Sequence, residues 1–255
     1  MTGGSDVLTE YDSVPCARLC ERTGAAQVVV VDRCDSTMDI AHRLAADGAP
    51  HGTVVVANEQ AAGRGRSGKS WISSRGGGVW ASVVVRWNGE AQPGVLSLRV
   101  GLALAELLDA QASTPIQLKW PNDLYRHGRK VAGVLTEARW RGDALEWLVV
   151  GIGVNLLTPD TLPDAAALDR GPTRAAVLSD VVRAVLASAA RMGDMSQDEL
   201  DRFARRDVAV GREVTSPLVG IVLGITSRGG LQVRTPTGVS IAFAGSLVFS
   251  NPHTE

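Results

Sequence analysis

The sequence lacks what several large protein classes require. Only three of its 255 residues are cysteine, and Cys16, Cys20 and Cys34 all lie within the first 34 positions. An odd, clustered set is no disulfide framework and fits a reducing compartment. The Cys16-x-x-x-Cys20 spacing is wrong for a C-x-x-C redox pair, so free thiols are expected. Four histidines, widely separated, form no zinc-ligand pattern with the cysteines. Zinc hydrolases and Ser-His-Asp enzymes are thereby disfavoured. No apolar run approaches the length of a membrane span. The opening MTGGSDVLTEYD is polar and acidic, unlike a signal peptide. A net charge of −1 argues against a wholesale nucleic-acid binder. These absences together predict a cytoplasmic protein without membrane or DNA partners. What remains is an ordinary globular composition, 45% hydrophobic and 21% charged, long enough to bury a core without staples.

Hydrophobic patterning predicts an alternation of strands and helices. Residues 1–26 carry no long period and read as a short helix or loose tail. Gln27–Asp32 and Thr53–Ala57 are β-branched runs expected as buried strands. Between them, Ser36 or Thr37 caps a helix that ends at Gly48 and Pro50. Gln60–Gly78 reads as loop and Gly78–Arg86 as a third strand. Pro93 opens a helix to about Leu108. Ile116–Arg126 and Arg129–Ala138 form a hairpin about His127-Gly128, and Leu145–Val154 is a further strand. A Pro- and Asp-rich loop, Leu157–Pro172, precedes helices over Thr173–Met192 and Gln197–Arg205. From Gly211 the pattern becomes short strands between glycine turns: Glu213–Ser216, Ile221–Thr226, Leu231–Thr235 and Ser240–Phe249. That change predicts a small appended β-barrel, with its boundary near Asp207–Gly211.

Between Gln60 and Gly89 there is no Asp or Glu, yet Arg64, Arg66, Lys69, Arg75 and Arg86 are present. Residues 63–70, GRGRSGKS, satisfy both G-x-G-x-x-G and G-x-x-x-x-G-K-[ST]. Neither motif has its context. Asn58–Ala62 separates the strand from the first glycine, and WISSRGGG downstream cannot be the helix that either motif needs. No acid about 20 residues on would hold a ribose. The physical content that survives is a glycine-interleaved cationic loop, able to order over a carboxylate or phosphate. Its plain alternative is a solvated basic loop.

Two more segments bear chemistry. KWPNDL at 119–124 and GRKVAG at 128–133 put Lys119 and Lys130 on the two arms of the hairpin. Asn122 can read an adenine edge, and Asp123 can orient an amine or a metal-bound water. Gly133, within a strand, signals close approach of a ligand or another backbone. In VVGIGVNLL, at 149–157, Gly151 and Gly153 alternate on one strand face and leave it bare, either for a flat ring or for the tight packing of a helix. Trp71 and Trp120, inside polar motifs, are candidate stacking surfaces; the other tryptophans read as core or rim.

GRGRSGKSW, KWPNDL, RKVAG and GIGVNL, in this order, resemble the biotin protein ligases over nearly the whole chain from Val28. The resemblance implies an α+β fold: a mixed-sheet catalytic domain flanked by helices, like class II aminoacyl-tRNA synthetases, and a C-terminal SH3-like barrel. It divides the chain into an N-terminal segment 1–26, a biotin- and ATP-binding domain 27–208 and the barrel 209–255. With no room for a DNA-binding helix-turn-helix before residue 27, the monofunctional type is implied, as a monomer or weak homodimer. The implied reaction forms biotinoyl-5′-AMP from biotin and MgATP, then passes the biotinoyl group to a lysine of a biotin carboxyl carrier domain of acetyl-CoA or a related carboxylase. By position, Ser36, Thr37, Gln60, Gly63, Arg64, Lys130, Gly133, Gly151 and Gly153 would surround biotin. Arg66, Lys69, Trp71, Asn122, Lys130 and Asn155 would lie at the nucleotide. Lys130, Arg66, Asp123 and Lys119 would carry the chemistry, with Mg²⁺ held through the phosphates. Met38 stands where the family commonly has Asn, and Lys69 replaces a more usual Arg. A lipoate ligase-like or other carboxylate-adenylating acyltransferase, and a non-catalytic carboxylate or nucleotide module, are the alternative readings; biotin-dependent pyrophosphate release separates them.

Overall fold

The computed structural model describes residues 7–87, 92–159, 161–191 and 193–250. The chain begins with β1 (Val7–Leu8), β2 (Glu10–Tyr11), β3 (Val14–Pro15) and α1 (Cys16–Thr23). It continues through β4 (Gln27–Cys34), α2 (Thr37–Ala46), β5 (Thr53–Gln60), β6 (Gly78–Val85) and α3 (Pro93–Leu108). Next come β7 (Gln117–Lys119), β8 (Asp123–Arg126), β9 (Arg129–Arg141), β10 (Ala144–Asn155), α4 (Arg174–Ala189) and α5 (Gln197–Ala204). The C-terminal part holds β11 (Glu213–Ser216), β12 (Gly220–Ile225), β13 (Leu231–Thr235), β14 (Gly238–Ala242) and β15 (Val248–Phe249).

Eight strands form one sheet in the order β1-β4-β5-β6-β10-β9-β8-β7. Among these eight strands β4 and β5 pair in parallel, with α2 as their crossover, and the other strand pairs are antiparallel. The apolar runs of β5 and β6 follow from burial on both faces. All eight residues of β6 are buried. One face carries the main core beneath α1, α3 and α4. The other carries α2, whose Met38, Ala41 and Ala45, at helical spacing, pack on Val55, Val84, Trp147 and Val149. Beyond α2 this second face is open, and the candidate site lies there.

Several sequence expectations change. Of the two readings of the N-terminal segment, the short helix is present as α1, and from Val7 onward the chain is tied down: β1 pairs with β4, Tyr11 is fully buried, and Asp12 binds Arg174 and the Ala175 N–H at the start of α4. The arm expected over Ile116–Arg126 is broken at Trp120–Asn122 into β7 and β8, because a proline cannot donate to a ladder. Trp120 is core, its indole N–H donating to Gly229 O at 3.0 Å, so it offers no stacking surface. The strand expected over Ser240–Phe249 is two, β14 and β15, and the small sheet runs β14-β13-β12-β11-β15. Residue 192, the expected end of α4, lies outside the described residues. Cys16, Cys20 and Cys34 are free thiols. Among the described residues no helix is long and apolar enough to cross a membrane.

Candidate active site

The open end of the second face forms a cleft of about 160 Å³. Its floor is Gly133 on β9 and Gly151 and Gly153 on β10, with Gly133 paired to Gly153. Glycine is required here because the protein's own side chains lie where a Cβ would stand. A Cβ on Gly153 would fall inside the Trp71 indole, and one on Gly151 would be 2.7 Å from Met38 Sδ. At Gly151 the bare face is therefore used to pack helix α2 through Met38, and over Gly153 it admits a flat ring, which in this structure is the protein's own Trp71. The indole Nε1 is buried without a hydrogen-bond partner.

One wall is built from the start of α2. Ser36 is the N-cap and accepts from the Met38 N–H at 3.3 Å. Thr37 donates its N–H and hydroxyl to Gln60 Oε1, at 2.8 and 3.1 Å, and shares a 2.8 Å hydrogen bond with Ser82 Oγ. Gln60 Nε2 donates to Ser73 Oγ at 2.7 Å, so its amide orientation is fixed by two neighbours. Ser82 was missed in the sequence reading, although it is the one hydroxyl in the apolar run of β6.

The glycine-rich segment folds back on itself rather than wandering. Gly65 N–H donates to Lys69 O at 2.7 Å and Trp71 N–H to Gly63 O at 2.8 Å. A side chain on Gly63 would meet Ser73 Oγ at 2.7 Å, so this glycine serves the fold-back and does not line the cleft. The five cations of the acid-free stretch separate. Arg64 pairs with Asp39 (3.0 Å) and Glu137 (3.2 Å), and Arg75 with Asp32 and Glu59. Arg86 donates to Ala45 O and Ala49 O at the C-terminal end of α2, far from the glycine floor. Arg66 and Lys69 line the cleft. Burial pushes the Arg66 guanidinium pKa below its ordinary value, against the opposing pull of Asp123, and the side chain makes a long hydrogen bond to Asn122 Oδ1, 3.4 Å.

The opposite wall is the β8–β9 edge. Lys130 Nζ is 2.6 Å from Asp123 Oδ1 and 4.9 Å from the centre of the Trp71 ring. Its backbone is strapped by the loop after β10, through Lys130 N–H to Asp164 O and Ala166 N–H to Lys130 O, both 2.8 Å. Asn122 ties the preceding turn to β9 through its side-chain N–H to Val134 O at 2.8 Å. Besides Gly63, two expected site residues stand back from the cleft. Asn155 is buried and donates to Ala166 O at 3.0 Å, steadying the strap that holds Lys130. Lys119 lies over the rings of Tyr125 and Phe249, each 5.2 Å away. Burial lowers its pKa; Asp123 opposes this, while Lys130, Arg212 and Lys69 add to it. Ser246, from the C-terminal segment, reaches the cleft lining without any motif to announce it. Among the described residues no group of three or more His, Cys, Asp and Glu side chains could hold a metal ion.

The model of the Biotin/lipoate A/B protein ligase family matches residues 30–155, which span the whole glycine floor and both walls. The biotin--[acetyl-CoA-carboxylase] ligase of Paracoccus denitrificans is 33% identical over 239 residues, covering 85% of this chain and 98% of that protein. The bifunctional ligase/repressor BirA of Bacillus spizizenii is 37% identical over 145 residues, and the match spans 54% of this chain but only 45% of that longer relative. The solved biotin protein ligase of Aquifex aeolicus in complex with biotin and ATP is 28% identical, superposes with a TM-score of 0.76, and covers 88% of this chain and 100% of its own. The chain belongs to the biotin protein ligase family.

Proposed function

We propose that the chain is an ATP-dependent biotin ligase that activates biotin as biotinoyl-5′-AMP and transfers the biotinoyl group to a lysine of a biotin carboxyl carrier domain. The single observation that carries the reading is the cleft itself. A cleft floored by glycines, faced by Met38 and Trp71 and lined by four cations, Arg64, Arg66, Lys69 and Lys130, suits a flat, largely apolar acid joined to a phosphate. In the first step a carboxylate oxygen attacks the α-phosphorus and pyrophosphate leaves. The step needs no protein nucleophile. It needs two anions held together and the growing charge neutralised. Lys130 neutralises charge at the reacting centre, oriented by Asp123; Arg66 and Lys69 cover the adenylate and pyrophosphate, and Lys119 adds positive field from behind. Ser36, Thr37, Gln60 and the floor glycines receive biotin, with Arg64 beside it, and Trp71 and Asn122 border the nucleotide. Magnesium enters as MgATP, carried by the phosphates, since Asp123 is the cleft's one carboxylate and already faces Lys130. In the second step the acceptor amine attacks the carbonyl and AMP leaves. The fold-back segment shields the anhydride from water between the steps.

We further take residues 27–208 as the catalytic domain, with 209–255 as a small SH3-like barrel and residues 1–26 as an N-terminal segment. The name of the Paracoccus relative supports an acetyl-CoA carboxylase carrier as the acceptor. The test is pyrophosphate release on adding biotin, ATP and Mg²⁺, followed by streptavidin detection of a carrier domain. Release with lipoate instead of biotin would favour the lipoate ligase-like reading, and no release would favour a binding module.

A further inference from the structure

The cleft side of the sheet continues, away from the glycine floor, into a polar cluster that meets the reaction above through Arg64 alone. Along β9, Gly133, Leu135 and Glu137 alternate onto one face; the first two line the cleft, and Glu137 lines the adjoining hollow under the glycine-rich segment. Asp39 and His42, one helical turn apart on α2, reach the same spot. Trp147 Nε1 lies 3.0 Å from His42 Nδ1, and His42 Nε2 lies 3.0 Å from Glu137 Oε2. An indole N–H is a donor only, so Nδ1 must accept, and the ring's remaining N–H at Nε2 donates to Glu137. Arg64 Nη2 binds the same Glu137 oxygen at 3.2 Å while Nη1 reaches Asp39 at 3.0 Å. The result is a relay from β10 through α2 and β9 to the glycine-rich segment. It runs Trp147 to His42 to Glu137 to Arg64.

We propose that Glu137, fixed by His42, is a positioning residue that anchors Arg64 and so holds the stem of the glycine-rich segment at the mouth of the cleft. Arg64 thus acts through its tether: its guanidinium is engaged by two carboxylates, leaving its neighbours Arg66 and Lys69 to meet anionic ligand. Each contact is part-exposed and weak alone, so the value of the relay lies in geometry. It fixes where residues 64–66 enter the cleft, and the binding of the acid depends on that wall. The inference rests on the biotin ligase reading.

The experiment is biotin-dependent ATP–pyrophosphate exchange, with KM for biotin and kcat measured separately, and thermal unfolding alongside. Glu137→Ala and Arg64→Ala should each raise KM for biotin about tenfold with kcat within about threefold, and the double variant should be no worse than either single, as coupled neighbours behave. His42→Phe keeps a ring beside Trp147 but removes the donor to Glu137. It should raise KM about threefold in the native background and have no effect on top of Arg64→Ala. A residue important only for stability would move unfolding and act equally in both backgrounds. Additive losses, or an unchanged KM in Glu137→Ala, would overturn the relay while leaving the ligase reading intact. Absence of exchange in the unmodified protein would instead overturn the ligase reading.

Discussion

Replacing Lys130 by alanine separates catalysis from stability. Its ammonium touches Asp123 at 2.6 Å and the Trp71 ring at 4.9 Å, and its side chain is 31% exposed. A part-exposed ion pair contributes ~0–1 kcal/mol to stability, and a cation–π contact near the surface ~0.5–1 kcal/mol. The structural loss is therefore at most about 2 kcal/mol, a few degrees of Tm in a chain of this length. Removing one positive group aimed at charge developing in the transition state costs ~2.7–4 kcal/mol, or about 10²–10³ in rate. The two effects differ in size and in assay. Lys130→Ala should remain folded by circular dichroism yet lose at least about 100-fold in saturated biotin-dependent pyrophosphate exchange. Exchange within about threefold of the unmodified protein would refute the reasoning, because no other cation shares that position on β9 facing the glycine floor.

Arg66→Gly should still form the adenylate but release it early, giving near-normal pyrophosphate production with biotin spread onto lysines of bystander proteins, read by streptavidin blot. Gly153→Ala should drive the Trp71 indole off the floor and lower kcat/KM for biotin at least about tenfold with secondary structure unchanged, since the rigid ring cannot yield as a flexible chain end would. Glu199 on α5 is buried against Arg99 of α3 and also closes the capping box with Ser196. Burial pushes its carboxyl up, but the Arg99 hydrogen bonds, the Ser196 N–H and the nearby guanidinium charges outweigh this and hold it at about 2. A lowered pKa means stability that is fully present above the ordinary value of 4.5 and lost as pH falls toward 2, worth on the order of 3 kcal/mol. Arg99→Met, which leaves the buried carboxylate with the exposed Arg191 guanidinium and the Ser196 N–H, should cost about 3 kcal/mol at neutral pH in urea unfolding.

Local signals carried much of this architecture. The β-branched runs of β4, β5 and β6 are strands because both faces are covered, and an apolar run states that directly. Ser36 and Pro93 mark helix starts because caps and fixed φ act within a few residues. The floor glycines were legible for a similar reason, since a missing side chain on alternate positions has few other uses. What could not be read is what arrives from elsewhere. The acid-free segment looks like five free charges, yet Asp32, Asp39, Glu59 and Glu137 neutralise two of them from four other elements. Trp71 looked like a ligand-stacking surface, but nothing local shows that Gly153, 82 positions on, would receive it. Ser246 and the strap at 164–166 join the site through tertiary folding alone. The split of β14 from β15 hinges on a bend that short, similar strands do not reveal.

The dispersal of those five cations also governs how the molecule greets a polyanion from a distance. Solvent ions damp fields over ~8 Å at physiological strength. Arg64 and Arg75 are matched by carboxylates at their own positions, and Arg86 faces a different end of the sheet. Lys130 is matched by Asp123 and Lys119 stands back from the cleft, so an approaching triphosphate senses chiefly the short arc of Arg66 and Lys69 rather than a broad basic surface. Capture of nucleotide should show the shallow ionic-strength dependence of about two charges, in a protein whose total field is close to zero.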